Sequence, residues 1–172
     1  MPGLKSGTVA LSAPDPAWHG LFYEESARLL AAAGDFLVAV EHVGSTAIPG
    51  LHAKPIVDIA AATPTFEGFV PAIPRIEKLG YTFKGEFGVP RRHFFALGDP
   101  TTVHVHIFEE DGKDWREQLL FREVMRASPE LRAEYEALKI ELAARHANDR
   151  PAYTAAKAEF IQRVLRDALA PR

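Results

Sequence analysis

The sequence predicts a single α/β domain, α+β in the order of its elements, built on a small mixed sheet with a helical C-terminal portion. Three observations predict it. Short apolar runs rich in β-branched and aromatic residues recur between residues 36 and 108. Gly- and Pro-containing turns separate these runs, and apolar residues at helical spacing occupy the last third of the chain. A length of 172 residues, 47% of them hydrophobic, is enough for one real core and short for two.

In order along the chain, residues 1–13 carry no apolar periodicity and are expected to fray or pack loosely. Asp15-Pro16 then reads as the start of a helix, with Trp18, Leu21, Phe22, Leu29 and Leu30 on one face and Gly34 as its stop. Strands are expected at 36–43 and 55–62, and a helix distorted by Pro71 and Pro74 at 66–79. Tyr81–Phe87, Arg92–Leu97 and Thr102–Phe108 read as antiparallel hairpin strands, because their links are too short for parallel crossovers. The helical portion spans 114–170. Asp114 and Glu117 suggest a capping box there, Ser128-Pro129 a second helix start and Pro151 a third. Tyr135, Leu138 and Leu142 form one apolar stripe, and Tyr153, Phe160, Val164 and Leu165 another.

Composition excludes several functions. There is no cysteine, so neither disulfides nor thiolate chemistry is available. No segment has the length of a membrane span and no apolar leader is evident, which sets the expectation of a cytoplasmic protein without a membrane partner. The net charge is −3, with 8 basic and 13 acidic residues in 1–112 and 12 and 10 in 113–172. Neither part is basic enough for long nucleic acid, whereas a small anion held by a few placed cations is compatible with both.

The chemistry concentrates in Glu41-His-Val-Gly-Ser-Thr and Lys54-Pro-Ile-Val-Asp58. Gly44 permits close backbone approach to a ligand, and Ser45 and Thr46 add hydroxyls beside free amides, as in a phosphate cradle. The same pattern also suits a plain turn that caps a helix. Asp58 is a carboxylate in an apolar strand, costly unless a partner or a metal offsets it. Lys54 is placed to contact phosphate or to neutralise Asp58. His104 and His106, two apart in a strand, share one face, with Val103, Val105 and Ile107 on the other. Paired imidazoles suit a transition metal or donate hydrogen bonds to a phosphoryl group. Arg91 or Arg92 is a candidate for a bidentate phosphate contact. His42 is read as a loop-orienting or buried residue and His52 as a turn residue. Arg132, Lys139, Arg150 and Lys157 are read as a solvated helix face.

These segments resemble the GrpB family, whose members look like small relatives of the nucleotidyltransferase superfamily. The likeness runs from Trp18 to Tyr153, Lys157 and Phe160. It implies a nucleotidyltransferase-like sheet, a nucleotide or other phosphorylated small molecule as ligand, and nucleotidyl or phosphoryl transfer. It also implies a divalent cofactor, Mg²⁺, Mn²⁺ or Zn²⁺. Gly44, Ser45, Thr46, Lys54 and Arg92 would bind the anion, Asp58 and His106 would be catalytic, and Asp58, His104, His106 and Glu41 would hold the metal. Lys139 and Lys157 match positions that recur in the family. Some members are fused to dephospho-CoA kinase, which brings coenzyme A-related ligands into consideration. One departure weighs against direct transfer of the mechanism: Ala60 stands where the superfamily has a second acid, and Glu41, Glu86 and His106 are the nearest candidates to replace it. A non-catalytic phosphate-binding module and a protein-interaction module are the alternatives. The run Val103–Phe108 is similar to part of a histidine-triad motif, but Phe108 occupies the place of the third histidine.

Overall fold

The computed structural model describes residues 3–5 and 7–170. Five strands form one mixed sheet: β1 (Ala39–Val43), β2 (Val57–Thr63), β3 (Tyr81–Phe83), β4 (His93–Leu97) and β5 (Val103–Glu109), in the order β1-β2-β5-β4-β3. β2 and β5 run parallel, and every other pairing is antiparallel. Among the described residues five α-helices accompany the sheet: α1 (Ala17–Ala33), α2 (Ile73–Glu77), α3 (Lys113–Ala127), α4 (Pro129–Arg145) and α5 (Arg150–Leu169). The mixed sheet flanked by helices is the architecture expected from the sequence.

Alternation along the central strands divides the molecule. Val57, Ile59 and Ala61 of β2 and Val103, Val105 and Ile107 of β5 are wholly buried in the main core. Trp18, Leu29 and Ala33 of α1 and Ile76 of α2 pack on that side. Asp58, Ala60, His104 and His106 therefore project from the opposite face. There Trp115 of α3 joins Val43, Ala60, Ala62 and Phe108 in a smaller apolar cluster. A third cluster, Ile48, Leu51, Met125, Tyr135, Phe160 and Val164, joins α3, α4 and α5 to the loop between β1 and β2.

Several local expectations are corrected. The segment at 66–79 is not one helix: a 3-10 stretch over Glu67–Ala72 precedes the short α2. Pro71 lies inside that stretch, where its missing N–H and its ring disfavour α-helical bonding. Leu30, assigned to the apolar face of α1, is 47% exposed. Buried Glu25 takes part in that helix's packing instead. It accepts from Tyr81 Oη at 2.7 Å and from Arg28 at 2.7 and 2.9 Å, which ties α1 to β3. Residues 1–13, expected to fray or pack loosely, are tied down at three points of their described part. Leu4 bridges to Thr101, Ser12 bridges to Ala53, and Val9 is buried against Leu142 and Tyr153. Residues 1, 2 and 6 of that expectation lie outside the described residues. Ser128 caps α4 by accepting from Leu131 N, but Asp114 and Glu117 form no capping box at α3. Among the described residues no helix is long and apolar enough to cross a membrane.

Candidate functional site

The parallel pairing of β2 with β5 sets Asp58 opposite His104 and Ala60 opposite His106. Both imidazoles turn to one carboxylate oxygen. His104 Nδ1 lies 3.2 Å and His106 Nε2 3.1 Å from Asp58 Oδ1. Burial alone would raise the Asp58 pKa, but these two hydrogen-bonding imidazoles outweigh it and hold the carboxyl well below its usual range.

The second carboxylate oxygen explains Gly44. This residue ends β1 with φ +69°, and a Cβ built on it would lie 2.8 Å from Asp58 Oδ2. Both the left-handed backbone and the close approach require glycine. Ser45, Thr46 and Ala47 then form a 3-10 turn. Thr46 is buried, and its hydroxyl is 2.9 Å from His42 Nε2. His42 also stacks on Phe22, and burial lowers its pKa to about 4, so the neutral ring orients the turn. From α3, Arg122 donates to His42 O at 2.9 Å and Arg126 to Ala47 O at 2.8 Å.

Between this turn, Asp58 and the three C-terminal helices lies a cavity of about 310 Å³. Gly44, Ser45, Thr46, Lys54 and Asp58 line the sheet side, and Lys139 and Lys157 enter from α4 and α5. The reading of these two lysines as part of a solvated face is corrected. Lys139 is 1% exposed, donates to the His52 carbonyl and lies 3.8 Å from Glu136. Its ammonium sits 5.0 Å above Tyr135, and that of Lys157 sits 4.5 Å above Tyr153. Burial lowers the pKa of Lys54 and of Lys139 to about 8. Lys157, lowered first by burial and then by Lys54 and Lys139, falls to about 7. Arg150 is half-buried, whereas Arg132 serves the α3–α4 corner by donating to Met125 O and Arg126 O. His52 is more than a turn residue: its ring and its backbone N–H both meet Glu136, fastening the loop to α4.

The remaining sequence candidates divide. Arg92 reaches the site, but its guanidinium serves Glu86 O, Phe87 O and, at 3.3 Å, His106 Nδ1. Arg91 is committed to Glu67 and Glu109. Glu86 accepts from Arg91 N at 2.5 Å and is exposed. Glu41 pairs with Arg122 at 2.7 Å and stands outside the donor group formed by Asp58, His104 and His106. Besides Asp58, the acids that line the cavity are Asp114 and Glu117 of α3. Sequence reasoning gave them a capping role and missed this one. Tyr135 and Tyr153 pack in the core as the apolar stripes predicted, but they also line the cavity, which was missed although Tyr135/Lys139 and Tyr153/Lys157 repeat one four-residue spacing on successive helices. A lysine one turn beyond a buried tyrosine lies on the tyrosine's face, and that was the available signal.

A paired-metal centre does not fit these residues. It needs several carboxylates, and Ala60 is wholly buried among apolar neighbours. The donor set fits one divalent ion, since the donor atoms of Asp58, His104 and His106 all lie within 4.8 Å of one another. Two imidazoles and one carboxylate suit Zn²⁺ or Mn²⁺ at least as well as Mg²⁺. With Arg92 donating to Nδ1 of His106, Nε2 carries the proton and donates to Asp58. An ion at Nε2 would replace that proton, and a hydrogen on Nδ1 would then repel Arg92.

Comparison with known proteins agrees with this fold. Residues 8–167 match the GrpB protein family. The UPF0157 protein YqkA of Bacillus subtilis is 38% identical over 84% of this chain and 43% of its own length. A dephospho-CoA kinase of Mycolicibacterium paratuberculosis is 31% identical over 93% of this chain and 46% of its own. The crystal structure of the conserved protein GrpB from Enterococcus faecalis superposes with a TM-score of 0.86 at 33% identity, covering 93% of this chain and 97% of that one. The chain belongs to the GrpB family. It spans less than half the length of the Bacillus and Mycolicibacterium relatives.

Proposed function

We propose that this protein binds a nucleotide or related phosphorylated small molecule in the lysine-lined cavity and supports nucleotidyl or phosphoryl transfer at Asp58. The observation that carries the reading is the convergence of three desolvated lysines, Lys54, Lys139 and Lys157, on a cavity bounded by the Gly44–Ser45 turn and Asp58. Three ammonium groups gathered on one partly buried cavity repel one another, and a polyanion relieves that cost. Gly44 and Ser45 bring backbone and hydroxyl to the phosphates. Asp58, His104 and His106 would hold one divalent ion, which when bound neutralises phosphate charge and polarises the reacting oxygen. Asp58 also keeps both imidazoles aimed at one point, and Arg92 donates to His106 Nδ1 in the ion-free arrangement. A coenzyme A-related ligand belongs among the candidates, because a relative bears the name dephospho-CoA kinase.

A second reading, a binding module without transfer, is favoured by one observation: position 60 is a buried alanine rather than an acid. One experiment separates the two. Thermal unfolding of wild type and Asp58→Asn is followed with nucleotides and coenzyme A precursors, each with Mg²⁺, Mn²⁺ or Zn²⁺. A ligand at about 100 times its dissociation constant stabilises by about 2.7 kcal/mol. For a chain of this size that raises Tm by roughly 5–11 °C. The expected result is a metal-dependent shift in wild type that Asp58→Asn abolishes while remaining folded, followed by turnover of the same ligand. A shift indifferent to metal and to Asp58, without turnover, establishes the module. No shift with any combination removes both.

A further inference from the structure

We propose that Arg92 is a positioning residue that sets which ions the Asp58–His104–His106 group accepts: it fixes His106 as a hydrogen-bond donor to Asp58 and so selects against ions that need that imidazole's lone pair. This rests on the ion site in the reading above and adds the class of ion. A guanidinium offers only N–H donors. The 3.3 Å approach of Arg92 Nη1 to His106 Nδ1 therefore leaves Nδ1 without a proton in the neutral ring. The proton sits on Nε2, which donates to Asp58 Oδ1 at 3.1 Å. A histidine that ligates a metal has the reverse arrangement, with its other ring N–H donating to a carboxylate, a carbonyl or water. An ion at Nε2 of His106 would leave the ring proton on Nδ1, facing another donor.

Arg92 is not free to yield. It is buried, and its guanidinium lies 4.7 Å from the centre of the Phe94 ring. Nε donates to Glu86 O at 3.2 Å, and Nη2 donates to Glu86 O at 3.1 Å and to Phe87 O at 2.8 Å. Both carbonyls belong to the turn between β3 and β4, which is itself pinned: Val89 N donates to Glu86 O, and Arg91 is clamped by Glu67 and Glu109. His104 supplies the contrast. Its Nδ1 also donates to Asp58 Oδ1, at 3.2 Å, but among the described residues its Nε2 has no hydrogen-bond partner. The proton of that ring can move to Nε2 without meeting a donor. The two imidazoles are therefore unequal: His104 is available as a nitrogen ligand, and His106 is held as a donor. An oxygen-bound ion such as Mg²⁺ loses little by this, whereas Zn²⁺ loses a ligand.

The first test needs no variant. Nitrogen-15 shifts of the His106 ring in metal-free wild type are expected to show the proton on Nε2 and none on Nδ1; a proton on Nδ1 overturns the proposal. The second test measures Zn²⁺, Co²⁺ and Mg²⁺ binding by calorimetry. Arg92→Met and Arg92→Gln are expected to tighten Zn²⁺ and Co²⁺ by about 10- to 100-fold, the usual effect of a ligating histidine's outer partner, with a much smaller gain for Mg²⁺. Arg92→Lys, still a cation and a donor, is expected to bind all three ions as wild type does. Equal gains for Mg²⁺ and Zn²⁺ would assign the effect to the lost charge and overturn the role of the tautomer. Zn²⁺ affinity unchanged in both neutral variants would remove Arg92 from the ion site. Asp58→Asn reads the underlying ion site separately: ions bound as tightly by this variant as by wild type lie elsewhere, which overturns the site itself and this proposal with it.

Discussion

Ala60→Asp, which sets a second acid two residues beyond Asp58 on the same strand, is expected to destabilise the protein by about 3–5 kcal/mol, the usual cost of an uncompensated buried charge. The methyl group of Ala60 is wholly buried against Val43, Ala62, Phe108 and Trp115. A carboxylate there would lose its water without gaining a cation. Its two cross-strand neighbours are both committed: Glu41 on β1 is paired with Arg122, and His106 on β5 already donates to Asp58. Against a total stability of about 5–15 kcal/mol the loss is large, and it should lower Tm by roughly 6–20 °C. Added Mg²⁺, Mn²⁺ or Zn²⁺ is expected not to restore it. Chemical denaturation with and without these ions is the measurement. A variant as stable as wild type, or one rescued by Mg²⁺, would show that position 60 opens onto the ion site and that a paired-acid centre can be rebuilt.

This expectation shows where sequence reasoning stops. Period-two alternation in Val103–Ile107 was enough to place both histidines on one face, because a strand's side-chain direction is a local property. The glycine at 44 was legible as a point of close approach, but its neighbour, the Asp58 carboxylate, depends on the antiparallel register of β1 with β2. Glu41 shares Asp58's face of the sheet and looked equally suited to a metal. Its fate was decided by Arg122, a residue 81 positions away on α3. The lysines show the same limit. A helical stripe identifies which residues face the core, yet it does not say whether the packed face closes or leaves a cavity. Lys139 and Lys157 therefore looked like surface charge until α4 and α5 were set against the β1–β2 loop. Leu4 and Val9 lack any periodic context, and distant contacts rather than local pattern place them.

Lys157→Met is expected to have opposite effects on stability and on binding. In the ligand-free chain the Lys157 ammonium is desolvated and repelled by Lys54, Lys139 and Arg150, against the attraction of Asp58 and of the Tyr153 ring 4.5 Å away. An apolar side chain of similar length relieves that cost, so the variant should unfold at a higher temperature than wild type at neutral pH. Inorganic tripolyphosphate should bind it roughly 10- to 150-fold more weakly, the worth of one charged hydrogen bond of about 1.5–3 kcal/mol. The pH dependence carries the same two signs. The folded pKa of Lys157 is lowered to about 7 and those of Lys54 and Lys139 to about 8, while an unfolded lysine holds its proton to about 10.4. Between pH 7 and that value the unfolded chain binds more protons than the folded one. The three lysines therefore make ligand-free wild type more stable as pH rises through about 7–8. Anion affinity should fall across the same interval, because the lysines lose the charge that holds the phosphates. Tripolyphosphate itself becomes more anionic as pH rises, so a falling affinity reports the lysines and not the ligand. Calorimetric titration and thermal unfolding at matched pH read both quantities. Affinity that is flat with pH and unchanged in Lys157→Met would take the phosphate chain out of this cavity.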